Sequence, residues 1–532
     1  MKLASKLFAA SLILTLPLLP APAIIPQPVS MTQGTGFFEC NPGTVIVADA
    51  GARDVARLLS RTLSAATGYD FALASTAAAK ENTIQLVIDP SLARLGDEGY
   101  QLEVTTARVV IRAPKAAGVF YGTGSLRQLL PAEAYSPVAL GGAAWRVPCV
   151  KVEDAPRFGW RGALVDAGRH FMPKADLLRF IDAIAMLKLN VLHLHMTDDQ
   201  GWRLEIRKYT KLTEVGSRRR ETVLRSAPRG WKAFDGEVHA GFYTQQDMRA
   251  IVAYAAQRHI TVVPEIEMPG HSRAAIASYP ELGNTNRKLE VATDWGVFEE
   301  ILNANETTIR FYQDVLTEVM EIFPSKFIHV GGDEAPKDEW RASPAAQARI
   351  KELALKNEEE LQSYFIRRMD QFLTGHGRRL IGWDEILEGG LAPGATVMSW
   401  RGIQGGIAAA RAGHDVVMTP TDFTYFDYFQ SKDPDEPLGA GGFIPLERVY
   451  QYDPVPEGFT PDQARRVLGT QGQLWTEGIA TPHDLEYMAF PRLAALAEVA
   501  WTPLARKDYD SFLERLGAQQ QRWRVLGVNF RP

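Results

Sequence analysis

Two adjacent carboxylates, Asp333 and Glu334, follow a short apolar run at residues 327–330 that has the pattern of a buried strand. Barrel enzymes carry their catalytic residues directly after such strands. Most glycosidases place one carboxyl group on each side of the scissile bond. Two carboxylates that are adjacent in the chain instead approach a sugar from nearly the same side. We therefore expect one residue to donate a proton and the other to orient a nucleophile that the substrate carries, such as a 2-acetamido oxygen. The alternative is a solvated acidic turn.

The motif Gly-Gly-Asp-Glu at residues 331–334 resembles the signature after the fourth barrel strand of the family 20 glycoside hydrolases, the β-N-acetylhexosaminidases. The resemblance continues as an ordered series of motifs across most of residues 157–505. It implies an exo-acting, retaining enzyme that removes terminal β-linked N-acetyl-D-hexosamine, either GlcNAc alone or GalNAc as well. It also implies that Glu334 is the proton donor, that Asp333 orients and charge-stabilises the acetamide, and that no cofactor is needed.

A histidine and two further carboxylates lie in the motifs after the second and third predicted strands. By resemblance, Asp198 orients His271, and this pair tunes the proton affinity and position of Glu334. Asp199 can exchange roles with Asp198, because the sequence does not say which of the two points inward. A zinc site is the competing use of these residue types, and we expect no metal because the inward groups lack the required ligand geometry.

The remaining family motifs supply groups that suit sugar binding. The planar guanidinium of Arg169 can grip neighbouring hydroxyl groups. Tyr425 can donate a hydrogen bond to the acetamide oxygen, opposite the contact of Asp333 with the acetamide nitrogen. The resemblance also places sugar-stacking rings and hydroxyl acceptors at the later strand ends, namely Trp383, Trp400, Trp475, Asp427 and Glu477.

Eight apolar, β-rich runs separated by amphipathic helical segments predict parallel strands with helical crossovers. This number suits a TIM barrel, whose strand ends would gather the residues above at one mouth. The predicted fold class is α/β, a TIM (β/α)8 barrel catalytic domain preceded by a small α+β domain. The eight runs begin at residues 163, 191, 261, 327, 380, 397, 416 and 467.

The chain is predicted to have three parts. An apolar stretch at residues 7–19 follows Met1, Lys2 and Lys6. We therefore expect residues 1–23 to be a signal peptide and the protein to be exported, either to the periplasm or out of the cell. Residues 24–150 alternate strand-like and helical pieces and predict the non-catalytic α+β domain. Residues 151–532 are expected to form the barrel, completed by C-terminal helical segments at 488–501 and 509–526.

Composition excludes several classes of protein. A net charge of −5 gives no general attraction to nucleic acid or to an anionic membrane, and the basic run at residues 218–220 is followed at once by Glu221, which predicts a solvated loop. Only Cys40 and Cys149 are present, so the protein is not a disulfide scaffold. Sequence leaves open whether they form one bridge or two buried thiols, and it does not fix the oligomeric state.

Three rival functions remain at this stage. The first is another specificity of the same family, such as release of a disaccharide, which depends on pocket depth. The second is a secreted glycan-binding protein that has lost turnover, although Asp333, Glu334 and Tyr425 are all present. The third is a metal-dependent hydrolase, which predicts that a chelator abolishes activity.

Overall fold

The computed structural model describes residues 22–75, 81–224, 232–285 and 287–532. Its N-terminal part is a mixed sheet with strand order β1-β7-β5-β6-β4-β2-β3. Two helices share one apolar core with this sheet, and the first buries Val55, Leu59 and Leu63 at helical spacing. The predicted α+β domain is confirmed. Its elements are β1 (Ser30–Glu39), β2 (Val45–Ala48), α1 (Arg53–Thr67), β3 (Leu73–Ala74), β4 (Thr83–Ile88), β5 (Tyr100–Val104), β6 (Arg108–Ala113), α2 (Ala116–Leu129) and β7 (Arg146–Asp154).

The second part is a closed barrel of eight parallel strands, and every run predicted from the sequence forms one of them. Each strand pairs with the next along the chain, and the last pairs with the first over the register Gly469–Trp160 to Leu474–Val165. The strands are β8 (Trp160–Asp166), β9 (Val191–His195), β10 (Thr261–Glu265), β11 (Phe327–His329), β12 (Arg379–Trp383), β13 (Thr396–Ser399), β14 (Val416–Met418) and β15 (Val467–Leu474).

Helices surround the barrel and share its apolar core. The helix after β8 buries a stripe formed by Leu177, Ile181 and Ile184. The main helices around the barrel are α3 (Lys174–Met186), α4 (Gln245–Ala256), α5 (Glu306–Ile322), α6 (Glu358–Gly375), α7 (Gln404–Arg411), α8 (Arg492–Trp501) and α9 (Tyr509–Leu526). Further helices lie at Lys211–Glu214, Arg273–Ser278, Asp338–Ala342, Pro344–Glu352, Thr421–Thr424, Leu446–Gln451, Pro461–Arg466 and Pro482–Ala489.

Two details differ from the simple strand-helix alternation. The crossover from β12 to β13 contains a single 3-10 turn, Asp384–Leu387, where a standard barrel has an α-helix. The segment predicted as one helical piece at 488–501 is divided between Pro482–Ala489 and α8. Pro491 lies at the division, because proline has no N–H group to continue the helical hydrogen bonds.

Buried ion pairs join the two parts. Lys188 Nζ lies 2.8 Å from Asp154 Oδ2, and both side chains are almost fully buried. Arg161 binds Glu98 at 2.9 Å and stacks over the Trp501 ring, 4.9 Å from its centroid. These contacts hold the N-terminal sheet against the base of the barrel, opposite the ends of the strands that carry the candidate site.

Cys40 and Cys149 are both free and buried. Within the described ranges, no helix combines the length and the apolar character that crossing a bilayer requires. The predicted signal peptide lies almost wholly outside the described residues, and the boundaries chosen for the domains stay a prediction.

Candidate functional site

The backbone around the acidic pair adopts conformations that are rare outside glycine. Gly331 and Gly332 follow β11 with φ of +65° and +94°, and Glu334 itself has φ +43°. A Cβ on Gly331 would overlap the carboxylate of Glu267, so glycine is required there. His271, which faces Glu334, also has a positive φ of +46°. Such conformations cost about 1–3 kcal/mol per residue and cluster at functional sites.

Glu334 is the most accessible member of the cluster, with a side chain 39% exposed. Its Oε2 lies 3.3 Å from Nε2 of His271. This contact is the main reason why the pKa of Glu334 is lowered, and it outweighs partial burial, which acts in the opposite direction. The carboxyl group is thus accessible to a ligand on one side and anchored by a histidine on the other.

His271 is fixed by a carboxylate on its far side. Its Nδ1 lies 3.0 Å from Asp199 Oδ2 and 3.4 Å from Asp198 Oδ1. Burial alone would lower the pKa of His271, but the surrounding carboxylates outweigh it and raise the pKa well above the usual value. The shorter contact is with Asp199, the alternative that the sequence left open, whereas Asp198 contributes most to the raised pKa of His271. Which of the two orients His271 in the reaction stays a prediction.

Asp198 instead bridges two cations. Its Oδ2 accepts from Arg169 Nη2 at 2.9 Å and lies 2.8 Å from His195 Nε2. Burial opposes ionisation of this carboxyl group, but attraction to Arg169 and His271 prevails and lowers its pKa. Asp198 therefore positions Arg169, while the side chain of Asp199 points towards His271.

Asp333 lies deeper than Glu334, with a side chain only 12% exposed. Its Oδ2 is 3.7 Å from His271 Nε2, and its Oδ1 has no hydrogen-bond partner among the described residues. Burial raises the pKa of Asp333 to about 6, with repulsion from Glu265 and Glu334 adding to it and attraction to His271 opposing it. A buried carboxylate oxygen without a protein partner is suited to accept a hydrogen bond from a ligand.

Tyr425 and Asp427 follow β14 and are both buried. The Tyr425 backbone forms a bridge with Gln473 of β15, which brings it beside Trp475. Burial raises the pKa of the Tyr425 hydroxyl well above its usual value, and nearby Asp427 and Asp333 add to the shift. The hydroxyl therefore stays protonated and can act as a hydrogen-bond donor.

The three predicted tryptophans meet, but they differ in exposure. Trp383 and Trp475 have ring centroids 5.6 Å apart, and Trp400 stacks 6.1 Å from Tyr425. Trp383 is only 1% exposed and donates its indole N–H to Glu265 Oε1 at 2.8 Å, so it forms the floor of the site. Trp400 is partly exposed, and its indole N–H binds Glu385 Oε2 at 2.9 Å.

Arg169 and Glu477 border the same floor. The Arg169 guanidinium lies over the Trp475 ring, 5.1 Å from its centroid. Its Nε is buried without a hydrogen-bond partner in the described part of the chain, as is Oε2 of Glu477. The structure thus brings all the residues predicted for the site to one end of the barrel, and it leaves polar atoms there for a ligand to satisfy.

Sequence reasoning missed several buried groups in the site and beneath it. Glu385 is buried, and its pKa is raised to about 8 by burial first and by repulsion from Asp333 second. Glu267 is 1% exposed, and neither of its carboxylate oxygens has a hydrogen-bond partner among the described residues. A signal was present in the alternation of polar residues within apolar strands, since such residues face the barrel interior: His193, His195, Glu265, Glu267 and His329.

The basic run predicted as a solvated loop is partly buried, which corrects that prediction. Arg219 is 1% exposed and donates from Nη1 to the Arg169 carbonyl oxygen at 2.6 Å. Arg218–Arg219 pairs with His239–Ala240 as a two-stranded ladder beside the barrel mouth. The connection at residues 218–243 thus forms part of the wall, although residues 225–231 within it lie outside the described ranges.

Several of these clusters have the donor types of a metal centre. One contains His193, Glu265 and His329, and another contains His271, Asp333 and Glu334. Two of the candidate ligand atoms already have protein partners, because the Gly331 N–H donates to His329 Nδ1 at 3.0 Å and the Trp383 indole N–H donates to Glu265 Oε1 at 2.8 Å. That no metal is needed stays a prediction.

Comparison with known proteins identifies the family. The models of glycosyl hydrolase family 20 match residues 158–504 as the catalytic domain and residues 21–155 as domain 2. A beta-hexosaminidase of Porphyromonas gingivalis is 45% identical over 95% of this chain, and the chain spans 64% of that relative's length.

Two solved structures cover nearly the whole chain. The beta-N-acetylhexosaminidase from Streptomyces coelicolor is 34% identical, with a TM-score of 0.83 over 96% of this chain and 98% of its own. A mutant Streptomyces plicatus beta-hexosaminidase in complex with the product GlcNAc is also 34% identical, with a TM-score of 0.82 over 97% and 98%. Together with the family models, these matches show that the chain belongs to glycosyl hydrolase family 20.

Proposed function

We propose that this chain is an exo-acting, retaining β-N-acetylhexosaminidase that removes terminal N-acetyl-D-hexosamine, either GlcNAc alone or GalNAc as well, from β-linked glycans. The observation that carries the proposal is the pairing of an accessible Glu334, anchored by His271, with a buried Asp333 whose Oδ1 has no partner within the described residues. One group can reach a glycosidic oxygen while the other accepts a hydrogen bond from the bound sugar.

The acetamide of the substrate is the nucleophile in this proposal. Asp333 accepts from the acetamide N–H, and Tyr425 donates to the acetamide oxygen, which holds that oxygen beneath the anomeric carbon. Glu334 protonates the leaving oxygen as the acetamide attacks, which forms an oxazolinium-type intermediate. Glu334 then removes a proton from water, which opens the intermediate with overall retention. Asp333 stabilises the positive charge that develops on the acetamide nitrogen.

The other residues bind the sugar ring. Trp383 and Trp475 form an apolar floor, and Trp400 flanks Tyr425, so that flat rings cover the sugar and the acetamide methyl group. Arg169 is fixed by Asp198 and has donors suited to ring hydroxyls, for which Asp427 and Glu477 are the acceptors. The closed, buried floor favours a single terminal sugar over a longer glycan at this position.

Hydrolysis of chitobiose and of a trisaccharide, followed by chromatography, tests this specificity. The proposal expects release of one N-acetylhexosamine unit at a time from the non-reducing end, with the β-anomer seen first by proton NMR. Release of disaccharide units supports the alternative specificity, and folded protein that binds without turnover supports the binding-protein alternative. Loss of activity on treatment with a chelator, restored by a divalent cation, supports a metal-dependent hydrolase.

Export is a separate proposal, which rests on the charged and apolar pattern of residues 1–23. Expression of the full chain in a bacterial host, followed by N-terminal sequencing of periplasmic and cytoplasmic fractions, tests it. A mature N-terminus near residue 24 in the periplasmic fraction is expected. An intact N-terminus in the cytoplasm alone contradicts it.

A further inference from the structure

Glu265 lies among three histidine rings and the Trp383 indole in the barrel interior, below the floor of the site. His195 Nδ1 lies 2.5 Å and His193 Nε2 lies 3.2 Å from its Oε2. His329 Nδ1 and Trp383 Nε1 both lie 2.8 Å from its Oε1. The histidines and Glu265 are at most 1% exposed, so this cluster is sealed from solvent.

His195 connects this cluster to the carboxylate that lies under Arg169. Its Nδ1 faces Glu265, and its Nε2 lies 2.8 Å from Asp198 Oδ2. An ionised carboxylate only accepts hydrogen bonds, so both ring nitrogens carry hydrogen and the ring is an imidazolium. Burial alone would lower the pKa of His195, but attraction to Glu265 and hydrogen bonds to both carboxylates raise it to about 10.

His193 has a different protonation state, which localises the cation. The Gln471 amide donates to His193 Nδ1 at 2.9 Å, and its orientation is fixed because its oxygen accepts from Trp160 Nε1 at 3.0 Å. A ring nitrogen that accepts a hydrogen bond carries no hydrogen, so His193 is neutral. Burial lowers the pKa of His193 to about 4, in agreement with this geometry.

The structure assigns His195 as a positioning residue that, as an imidazolium held between Glu265 and Asp198, keeps Asp333 ionised and Asp198 in place under Arg169. This inference rests on the proposed function, in which Asp333 acts as an anion towards the acetamide. It explains how a carboxylate can stay charged in a site crowded with other acids. Without His195, the negative charges of Glu265 and Asp198 would face Asp333 with less compensation.

The electrostatic consequence depends on all charged neighbours. Attraction to His271 and His195 favours ionisation of Asp333, whereas burial and repulsion from Glu265 and Glu334 oppose it. The groups that face His195 are Glu265 at the end of β10, Glu267 two residues further on, Asp198 after β9, Asp166 at the end of β8 and the neighbouring His193. Those that face Asp333 also include Glu385 and Tyr425. Removing the His195 charge and removing the Glu265 charge should therefore act on Asp333 with opposite signs.

The pH dependence of kcat/KM for 4-nitrophenyl N-acetyl-β-D-glucosaminide separates this role from simple support of the fold. His195→Gln is expected to move the acidic limb to higher pH by up to about one unit, since a charge within about 4–6 Å shifts a carboxyl pKa by about one to three units and His195 acts on Asp333 less strongly than His271 does. Glu265→Gln is expected to move the limb to lower pH. The double variant removes one charge of each sign. Its acidic limb should therefore lie closer to that of the wild-type enzyme than the limb of either single variant does.

Exposed residues supply matched controls for both substitutions. His376→Gln and Glu514→Gln make the same chemical changes at exposed positions and should leave the profile unchanged. Circular dichroism establishes that each variant is folded. The inference is overturned if the acidic limb moves in the same direction in both single variants, or if it does not move in either folded variant. In both cases the proposed function stands as long as the wild-type enzyme turns over the substrate. An inactive wild-type enzyme contradicts the proposed function instead.

Nitrogen-15 NMR of histidine side chains tests the charge state without relying on a His195 variant. In His271→Gln protein at pH 8, one imidazolium signal with both ring nitrogens protonated is expected to remain. If every histidine in that spectrum is neutral, His195 is not a cation and the inference fails.

Discussion

His271 Nε2 lies 3.3 Å from Glu334 Oε2, so a proton donor is in contact with the carboxyl group that we propose as the general acid. The pKa of His271 is raised and that of Glu334 is lowered, so the pair is imidazolium and carboxylate in the free protein. A bound sugar would cover the exposed side of Glu334 and remove water from it, and burial raises a carboxyl pKa. The proton can then pass from His271 to Glu334, where the leaving oxygen needs it.

Glu334→Gln should abolish proton delivery while keeping the shape of the side chain. On chitobiose, whose leaving sugar needs a proton, kcat is expected to fall by about a hundredfold to ten-thousandfold. On the 4-nitrophenyl glycoside the loss should be smaller, because the leaving phenolate is stable without protonation. Steady-state kinetics on both substrates checks this, with Glu514→Gln as the exposed control. Near-native turnover of chitobiose by the folded variant would rule out Glu334 as the acid.

Tyr425→Phe removes one hydroxyl group from a buried ring that also packs near Trp400 and Trp475. If the hydroxyl aligns the acetamide oxygen in the transition state, kcat should fall by about a hundredfold to a thousandfold, as for loss of one oxyanion donor. The binding of GlcNAc, measured by calorimetry, should weaken far less. An equal loss in kcat/KM and in product affinity would instead indicate a role in ground-state binding.

Asp333 should set the acidic limb of the pH–rate profile. Its pKa is raised to about 6, and the ionised form is the active one, so kcat/KM falls as pH drops through about 6. The decrease should approach tenfold per pH unit below that point. Asp333→Asn should show a lower plateau without this limb. Retention of the limb in the variant would assign it to another group.

Glu385 is expected to be protonated at neutral pH, because its pKa is raised to about 8. Glu385→Gln keeps a neutral side chain whose amide oxygen can still accept from the Trp400 indole. Activity at pH 6 should therefore change by less than about threefold, a small effect because one neutral hydrogen bond replaces another. Above pH 8 the wild-type enzyme gains a charge beside Asp333 that the variant lacks. Activity profiles that diverge only at alkaline pH support this, and a large loss at pH 6 contradicts it.

The barrel could be predicted because parallel strands buried on both faces appear as continuous apolar runs, such as residues 416–418. The α1 and α9 helices were equally clear from periodicity, and α9 was predicted with its observed limits at 509–526. The break at Pro491 was missed because the apolar spacing continues across it. At that position the missing backbone N–H of one proline ends the helix, although the neighbouring residues keep helical apolar spacing.

The candidate site could be predicted as a set of residues but not as a set of contacts. Sequence order places Asp198 and Asp199 together, yet only the direction of each side chain decides that Asp199 contacts His271 more closely. Burial of Arg219 depends on backbone carbonyls brought together by tertiary folding, so charge alone suggested a solvated residue. The histidines around Glu265 lie at polar positions within apolar strands, but their contacts could not be predicted because the contacting residues come from different strands.

Substrate assistance is tested most directly by comparing 4-nitrophenyl N-acetyl-β-D-glucosaminide with 4-nitrophenyl β-D-glucoside, which has a hydroxyl group in place of the acetamide. If the acetamide is the nucleophile, kcat/KM for the glucoside should be lower by at least about a thousandfold, as expected when an intramolecular nucleophile is lost. Equal values of kcat/KM for the two glycosides would contradict the account.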